Sequence, residues 1–113
     1  MRDNSELTLR KQKDFSRVYK KGKSKGSKYV VVLYRKNNLG YTRTAFVSSK
    51  KVGNSVQRNR SRRLMRESWY SVNNKIKEGY DIVFVARNSI NDAGMNDVLR
   101  SLYGTLKTCD LFK

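Results

Sequence analysis

Apolar residues recur along this chain with two different periods. Residues 29–34 read YVVVLY, β-branched and aromatic throughout, and predict a strand. Residues 80–86, YDIVFVA, form a near-continuous apolar run and predict a strand interior to a sheet. Another strand is predicted over residues 41–48. Elsewhere the spacing is helical. Phe15, Val18 and Tyr19 predict a short helix over residues 14–20, and Met95, Val98, Leu99, Leu102, Tyr103 and Leu106 predict the last helix. The main helix is predicted to begin at Asn54, in a capping pair with Gln57, and to run to Lys77, where Gly79 ends it. Residues 20–27 read as a basic Gly/Ser loop, 35–40 as a hairpin turn, and 49–53 and 88–92 as loops. The order αββαβα predicts an α/β two-layer sandwich, with helices packed on one small mixed sheet in a single domain.

Charge changes this picture from a fold to a binding protein. Lys plus Arg number 26 against 9 Asp plus Glu, a net charge of +17. Such an excess repels itself in the compact state and predicts a polyanionic partner. It also predicts a free protein that is only partly folded at low ionic strength. No apolar run approaches the roughly 20 residues that span a bilayer, and the polar start, residues 1–6, has no signal-peptide core. Nucleic acid is therefore the expected polyanion, not a membrane. Histidine is absent, which removes the commonest general base and zinc ligand. Asp81, Asp92 and Asp97 lack metal-site spacing. No catalytic residue and no bound metal are expected. Cys109 is the sole cysteine, so no intrachain disulfide forms, in keeping with a reducing cytoplasm.

The charge is densest over residues 50–66, KKVGNSVQRNRSRRLMR. At 100° per residue, Ser61, Leu64, Met65, Ser68, Trp69 and Val72 gather on one side of the helix. Asn59, Arg62, Arg63 and Arg66 gather on the other, with Arg60 at the flank. A merely solvated face mixes signs, because i,i+4 acid–base pairs stabilise helices. Here Glu67 is the only acid between Asp14 and Glu78. The cations also lie near the helix N-terminus, where the macrodipole disfavours them. Selection for binding explains this arrangement; selection for stability does not. Guanidinium forks suit phosphates, and Asn59 adds a donor and an acceptor among them.

Phe15 and Tyr19 stand at i,i+4 among Arg10, Lys11, Lys13, Arg17, Lys20 and Lys21. Aromatic rings interleaved with cations suit single-stranded nucleic acid, with bases stacked and phosphates neutralised. The same two rings equally suit a core contact between helix and sheet. Tyr29 and Tyr34 are five apart, so strand alternation sends them to opposite faces and at most one shares a cleft with Phe15. Tyr34 is the expected one.

The run KKVGNSVQRNRSRRLMRE, with Arg58-Asn59-Arg60 at its core, resembles the signature of the bacterial ribonuclease P protein family. LRKQKDFSRVYKKGKS, VVLYRKN and YDIVFVAR resemble the same family, in the right order and over nearly the whole chain. The resemblance implies a fold similar to the second domain of ribosomal protein S5, with a left-handed βαβ crossover where pattern alone implies a right-handed one. It implies that Lys50, Lys51, Arg58, Asn59, Arg60, Arg62, Arg63 and Arg66 face a catalytic RNA. A cleft with Arg10, Lys11, Phe15, Tyr19 and Tyr34 is then expected to hold the 5′ leader of precursor tRNA, and the loop of residues 20–28 to add RNA contact. Mg²⁺ is expected mainly on the RNA and not on the protein alone, and the free protein is expected to be a cytoplasmic monomer. Other readings of the residues are a structural RNA-binding protein, a protein-only nuclease and a DNA-binding protein with its Arg helix in a major groove.

Overall fold

The computed structural model describes residues 7–113; the polar start at residues 1–6 lies outside them. The elements are α1 (Gln12–Lys21), β1 (Lys23–Gly26), β2 (Val30–Lys36), β3 (Arg43–Val47), α2 (Ser55–Val72), β4 (Tyr80–Ala86) and α3 (Met95–Thr108). Short 3-10 turns follow α2 and β4, at Asn73–Lys75 and Asn88–Asp92. One mixed sheet has the order β1-β2-β4-β3. β1 and β4 each pair antiparallel with β2, while β3 runs parallel to β4 and reaches it through α2.

The pleat sorts the side chains. Val30, Val32, Ile82, Phe84 and Ala86 meet Leu64, Met65, Trp69, Val98, Leu102 and Leu106 of α2 and α3, making the larger core. Phe84 is its centre: Phe46 stacks on it at 5.4 Å and 8°, and Trp69 lies 5.5 Å away. The opposite face carries Leu33, Ala45, Val47, Val83 and Val85, covered by Val18 and Phe15 of α1 and by Leu9. The sandwich of α2 and α3 on a small mixed sheet is the fold the pattern predicts, and α1 adds cover on the second face.

Three expectations are corrected. Residues 23–26 form a strand, not a loop. Lys23 pairs with Tyr34 and Gly26 with Val31. The segment is exposed on both faces, so it has no apolar alternation to mark it, and only the backbone ladder to β2 makes it a strand. Its lysines suit an edge, where charge discourages further pairing. Gly22 is the joint before it, since a Cβ there would meet the carbonyl oxygens of Val18 and Tyr34 at 2.4 and 2.8 Å.

Residues 35–40 do not close a hairpin, because β4 lies between β2 and β3. The apolar run of β4 is buried on both sides only in the interior. The turn instead wraps its start: the Asn37 N–H donates to the Gly79 carbonyl at 2.9 Å and its side-chain amide to Asp81 at 2.9 Å. Finally, α2 ends at Val72 and not at Lys77. Asn73 and Asn74 favour turns over helix interiors. Ile76 is then drawn into the core and forms a bridge with Phe112, while the Lys77 N–H donates to Leu111.

Candidate nucleic-acid interface

The basic helix is fixed at its start by a reciprocal cap. The Asn54 side chain accepts from the Gln57 N–H at 2.9 Å, and the Gln57 side chain accepts from the Asn54 N–H at 2.9 Å. Gly53, with φ of 143°, lies under this pair; a Cβ there would fall 1.8 Å from Gln57 Oε1. The preceding turn buries Val52 and leaves Lys50 and Lys51 exposed. The buried face of α2 consists of Ser61, Leu64, Met65, Ser68, Trp69 and Val72, as the helical wheel predicts. Its two serines are satisfied locally, Ser61 donating to Ser48 Oγ and Arg58 O, and Ser68 to Leu64 O.

The arginines divide into two groups. Asn59, Arg63 and Arg66 are exposed, and Arg62 is half-buried and donates to the Asn59 side-chain oxygen. Arg66 holds its guanidinium 5.7 Å from the centre of the Phe46 ring. Among the described residues, none of the α2 arginines forms a salt bridge. Arg58 and Arg60 turn back on the protein. Arg58 donates to the Gly53 carbonyl at 2.9 Å and to Ser55 Oγ at 3.3 Å. Arg60 donates to the carbonyls of Ile90 and Ala93, at 3.3 and 2.5 Å, and so ties α2 to the turn before α3. Sequence reasoning missed this tie because carbonyl partners carry no side-chain signal.

A second surface lies on the other face of the sheet. Phe15 is half-buried against the smaller core, while Tyr19 is 49% exposed. With Gln12, Ser16, Lys20 and Val47 they line a groove of about 380 Å³. Burial raises the Tyr19 phenol pKa above its ordinary value, so the ring stays neutral. Arg10 and Lys11 are exposed at the entry to α1, just after Leu9, whose N–H donates to the Thr44 carbonyl on the outer edge of β3. A larger groove, of about 760 Å³, follows that edge from Phe15 and Val47 past Phe46 to Arg66 and Tyr70. The aromatic groove and the Arg face are thereby joined around one side of the sheet.

Tyr34 does not belong to this groove. It packs against the larger core, 6.4 Å from Tyr80 and beside Cys109, on the opposite face from Phe15. Tyr29 packs on that side too, because the strand begins at Val30 and its pleat does not govern Tyr29. Neither tyrosine shares a cleft with Phe15.

The groove helix α1 is held by buried charges that the sequence did not single out. Arg43 makes a two-pronged contact with Asp81, at 2.9 and 2.7 Å, and reaches Asp14 of α1 at 3.3 Å. Asp14 and Asp81 are each only 5% exposed. These carboxylates raise the Arg43 pKa, chiefly through the Asp81 hydrogen bonds. Both acids thus serve a cation of the protein itself, and no group of three or more potential metal ligands occurs among the described residues.

Residues 4–110 match the Ribonuclease P family model. The chain belongs to the ribonuclease P protein family. The ribonuclease P protein component of Clostridioides difficile is 45% identical over 104 residues, covering 91% of each chain. That of Alkaliphilus oremlandii is 44% identical over 103 residues, covering 91% of this chain and 90% of the relative. Among solved structures, the RNase P protein of Staphylococcus aureus superposes with a TM-score of 0.86 at 32% identity, over 95% of this chain and 98% of that one. The RNase P protein of Thermotoga maritima gives a TM-score of 0.81 at 33% identity, over 89% and 96%. The ribonuclease P motifs quoted from the sequence therefore lie on the elements just described: the Arg-Asn-Arg core on the first turns of α2, and the Phe15–Tyr19 pair on α1. No helix among the described residues is long and apolar enough to cross a membrane.

Proposed function

We propose that this chain is the protein subunit of a ribonuclease P ribonucleoprotein, binding both the catalytic RNA and the 5′ leader of precursor tRNA. The observation that carries the proposal is the exposed cationic face of α2, opposite the buried face of Leu64, Met65, Trp69 and Val72 and without salt bridges among the described residues. Asn59, Arg62, Arg63 and Arg66, with Lys50 and Lys51, form the catalytic-RNA surface. Arg58 and Arg60 shape it through their backbone ties.

The groove of Phe15 and Tyr19 takes the single-stranded leader, with bases against the rings and phosphates near Arg10, Lys11 and Lys20. The larger groove at the β3 edge links leader to catalytic RNA, so one rigid domain orients the two. The protein contributes no catalytic residue. Phosphodiester hydrolysis belongs to the RNA partner and its Mg²⁺ ions, and the cations of the protein lower the repulsion between two RNAs. The free protein is a monomer and works in the cytoplasm.

The test is leader removal from precursor tRNA by the RNA with and without this protein, at limiting Mg²⁺. Faster processing with the protein is expected, and none by the protein alone. Cleavage by protein free of RNA, or RNA activity indifferent to the protein, would refute the proposal.

A further inference from the structure

Three cations lie outside the α2 face and the α1 groove, two of them in the basic segment of residues 20–28 where RNA contact is expected. Lys25, at the outer edge strand, Lys28, in the loop that follows, and Arg100, on α3, flank a groove of about 580 Å³ between that loop and α3. All three are exposed, and none forms a salt bridge among the described residues. The acid in the groove, Asp97, is committed elsewhere: its carboxylate accepts from the Gly94 N–H at 3.0 Å, capping α3.

The wall of the groove is Tyr29, with the Lys28 ammonium 5.4 Å from its ring centre. Its floor is bare helix at Gly104, where an added Cβ would meet nothing within 4 Å. A glycine in mid-helix is unfavourable for stability, and no close packing accounts for this one. The loop is held in place, since Ser27 Oγ lies 2.5 Å from Ser101 Oγ and Ser89 Oγ donates to the Lys28 carbonyl at 2.5 Å. Unpaired cations around an aromatic ring and an open backbone are the chemistry that receives unpaired nucleotides.

From this geometry we infer a second RNA site, which holds a single-stranded segment of the catalytic RNA with a base against Tyr29 and phosphates on Lys25, Lys28 and Arg100. It rests on the reading of this chain as a partner of that RNA. The location favours the catalytic RNA over the leader. Tyr29 packs on the face of the sheet opposite Phe15, and β1 and β3 are opposite edges of the sheet. A leader in the α1 groove is on the far side, whereas a large folded RNA seated on α2 can reach round α3, which packs beside it on the same face.

The experiment measures binding of the full-length protein to the catalytic RNA as a function of salt. The Lys28→Gln/Arg100→Gln double variant should lower the slope of log K against log salt by about 1.4, at roughly 0.7 per contact to a single strand. Gly104→Met keeps every charge and favours the helix but fills the groove. It should weaken binding at fixed salt by roughly tenfold, the scale of one lost base–aromatic stack, with circular dichroism unchanged.

An unchanged slope in the double variant would overturn the site. So would normal binding by Gly104→Met, which would make the charge effect a diffuse one. A loss of affinity for precursor tRNA with binding of the catalytic RNA intact would overturn the choice of occupant. Arg63→Ala, on the α2 face, separates the two proposals. If it lowers the slope while the groove variants do not, only this site fails. If neither lowers it, the α2 reading fails as well.

Discussion

The contact of Arg43 with Asp81 and Asp14 is where a single change should cost the fold most. Asp81→Ala removes both acceptors of the 2.9 and 2.7 Å bonds and also leaves the Asn37 amide without its 2.9 Å bond to that carboxylate. Arg43 keeps only Asp14, at 3.3 Å. Breaking a buried pair from one side costs about 3–5 kcal/mol, because the remaining charge stays desolvated. The Arg43 side chain is 17% exposed, so water recovers some of this. We therefore expect about 3 kcal/mol. That is a large share of the stability of a small domain, which is roughly 5–15 kcal/mol in total. Asp14→Ala loses the 3.3 Å contact to Arg43, the 3.8 Å contact to Arg17 and a favourable carboxylate in the first turn of α1, and should cost about 1 kcal/mol. Urea unfolding in buffer containing sulfate measures both. A loss below about 1 kcal/mol for Asp81→Ala would refute the view that this cluster fastens α1 to the sheet.

Tyr19→Ala should leave stability nearly unchanged and weaken leader binding by about 1–3 kcal/mol, the scale of one base–aromatic stack. Tyr34→Phe, on the other face, should leave leader affinity unchanged; fluorescence titration with leader oligonucleotides checks both. Arg60→Ala should lower stability by about 1–2 kcal/mol through its two lost carbonyl bonds. Arg63→Ala should leave stability alone and lower the salt slope of RNA binding by about 0.9. Burial raises the Cys109 thiol pKa, so fewer thiolates form in the folded chain than in the unfolded one. Iodoacetamide at pH 8 should therefore alkylate it more slowly than in urea. Stability linked to this thiol is fully present below its unfolded pKa and falls as pH rises through the folded value. At +17 the free chain should gain helix, seen by circular dichroism, when sulfate is added to dilute buffer.

What was legible in the sequence follows from which interactions are local. The two faces of α2 could be read because helical geometry maps spacing directly onto direction, and the Asn54–Gln57 cap is a three-residue signal. β4 announced its interior position by its apolar run. Non-local choices could not be read. Residues 35–40 have turn chemistry whether or not the strands they join are neighbours, so only the demand of β4 for two partners places it between them. β1 has no buried face and hence no pattern. Arg43 and Asp81 are 38 positions apart, and only the parallel register of β3 on β4 brings them together. Tyr34 was misplaced relative to Phe15 because alternation shows that faces differ without showing which face α1 covers.

The central claim is that one domain holds catalytic RNA on α2 and the leader on α1. Its most direct test compares the affinity of the holoenzyme for precursor tRNA with and without a 5′ leader, using wild-type protein and Tyr19→Ala. The wild-type holoenzyme should prefer the leader-bearing RNA, and Tyr19→Ala should erase most of that preference while binding the catalytic RNA normally. Equal preference with both proteins would contradict the account.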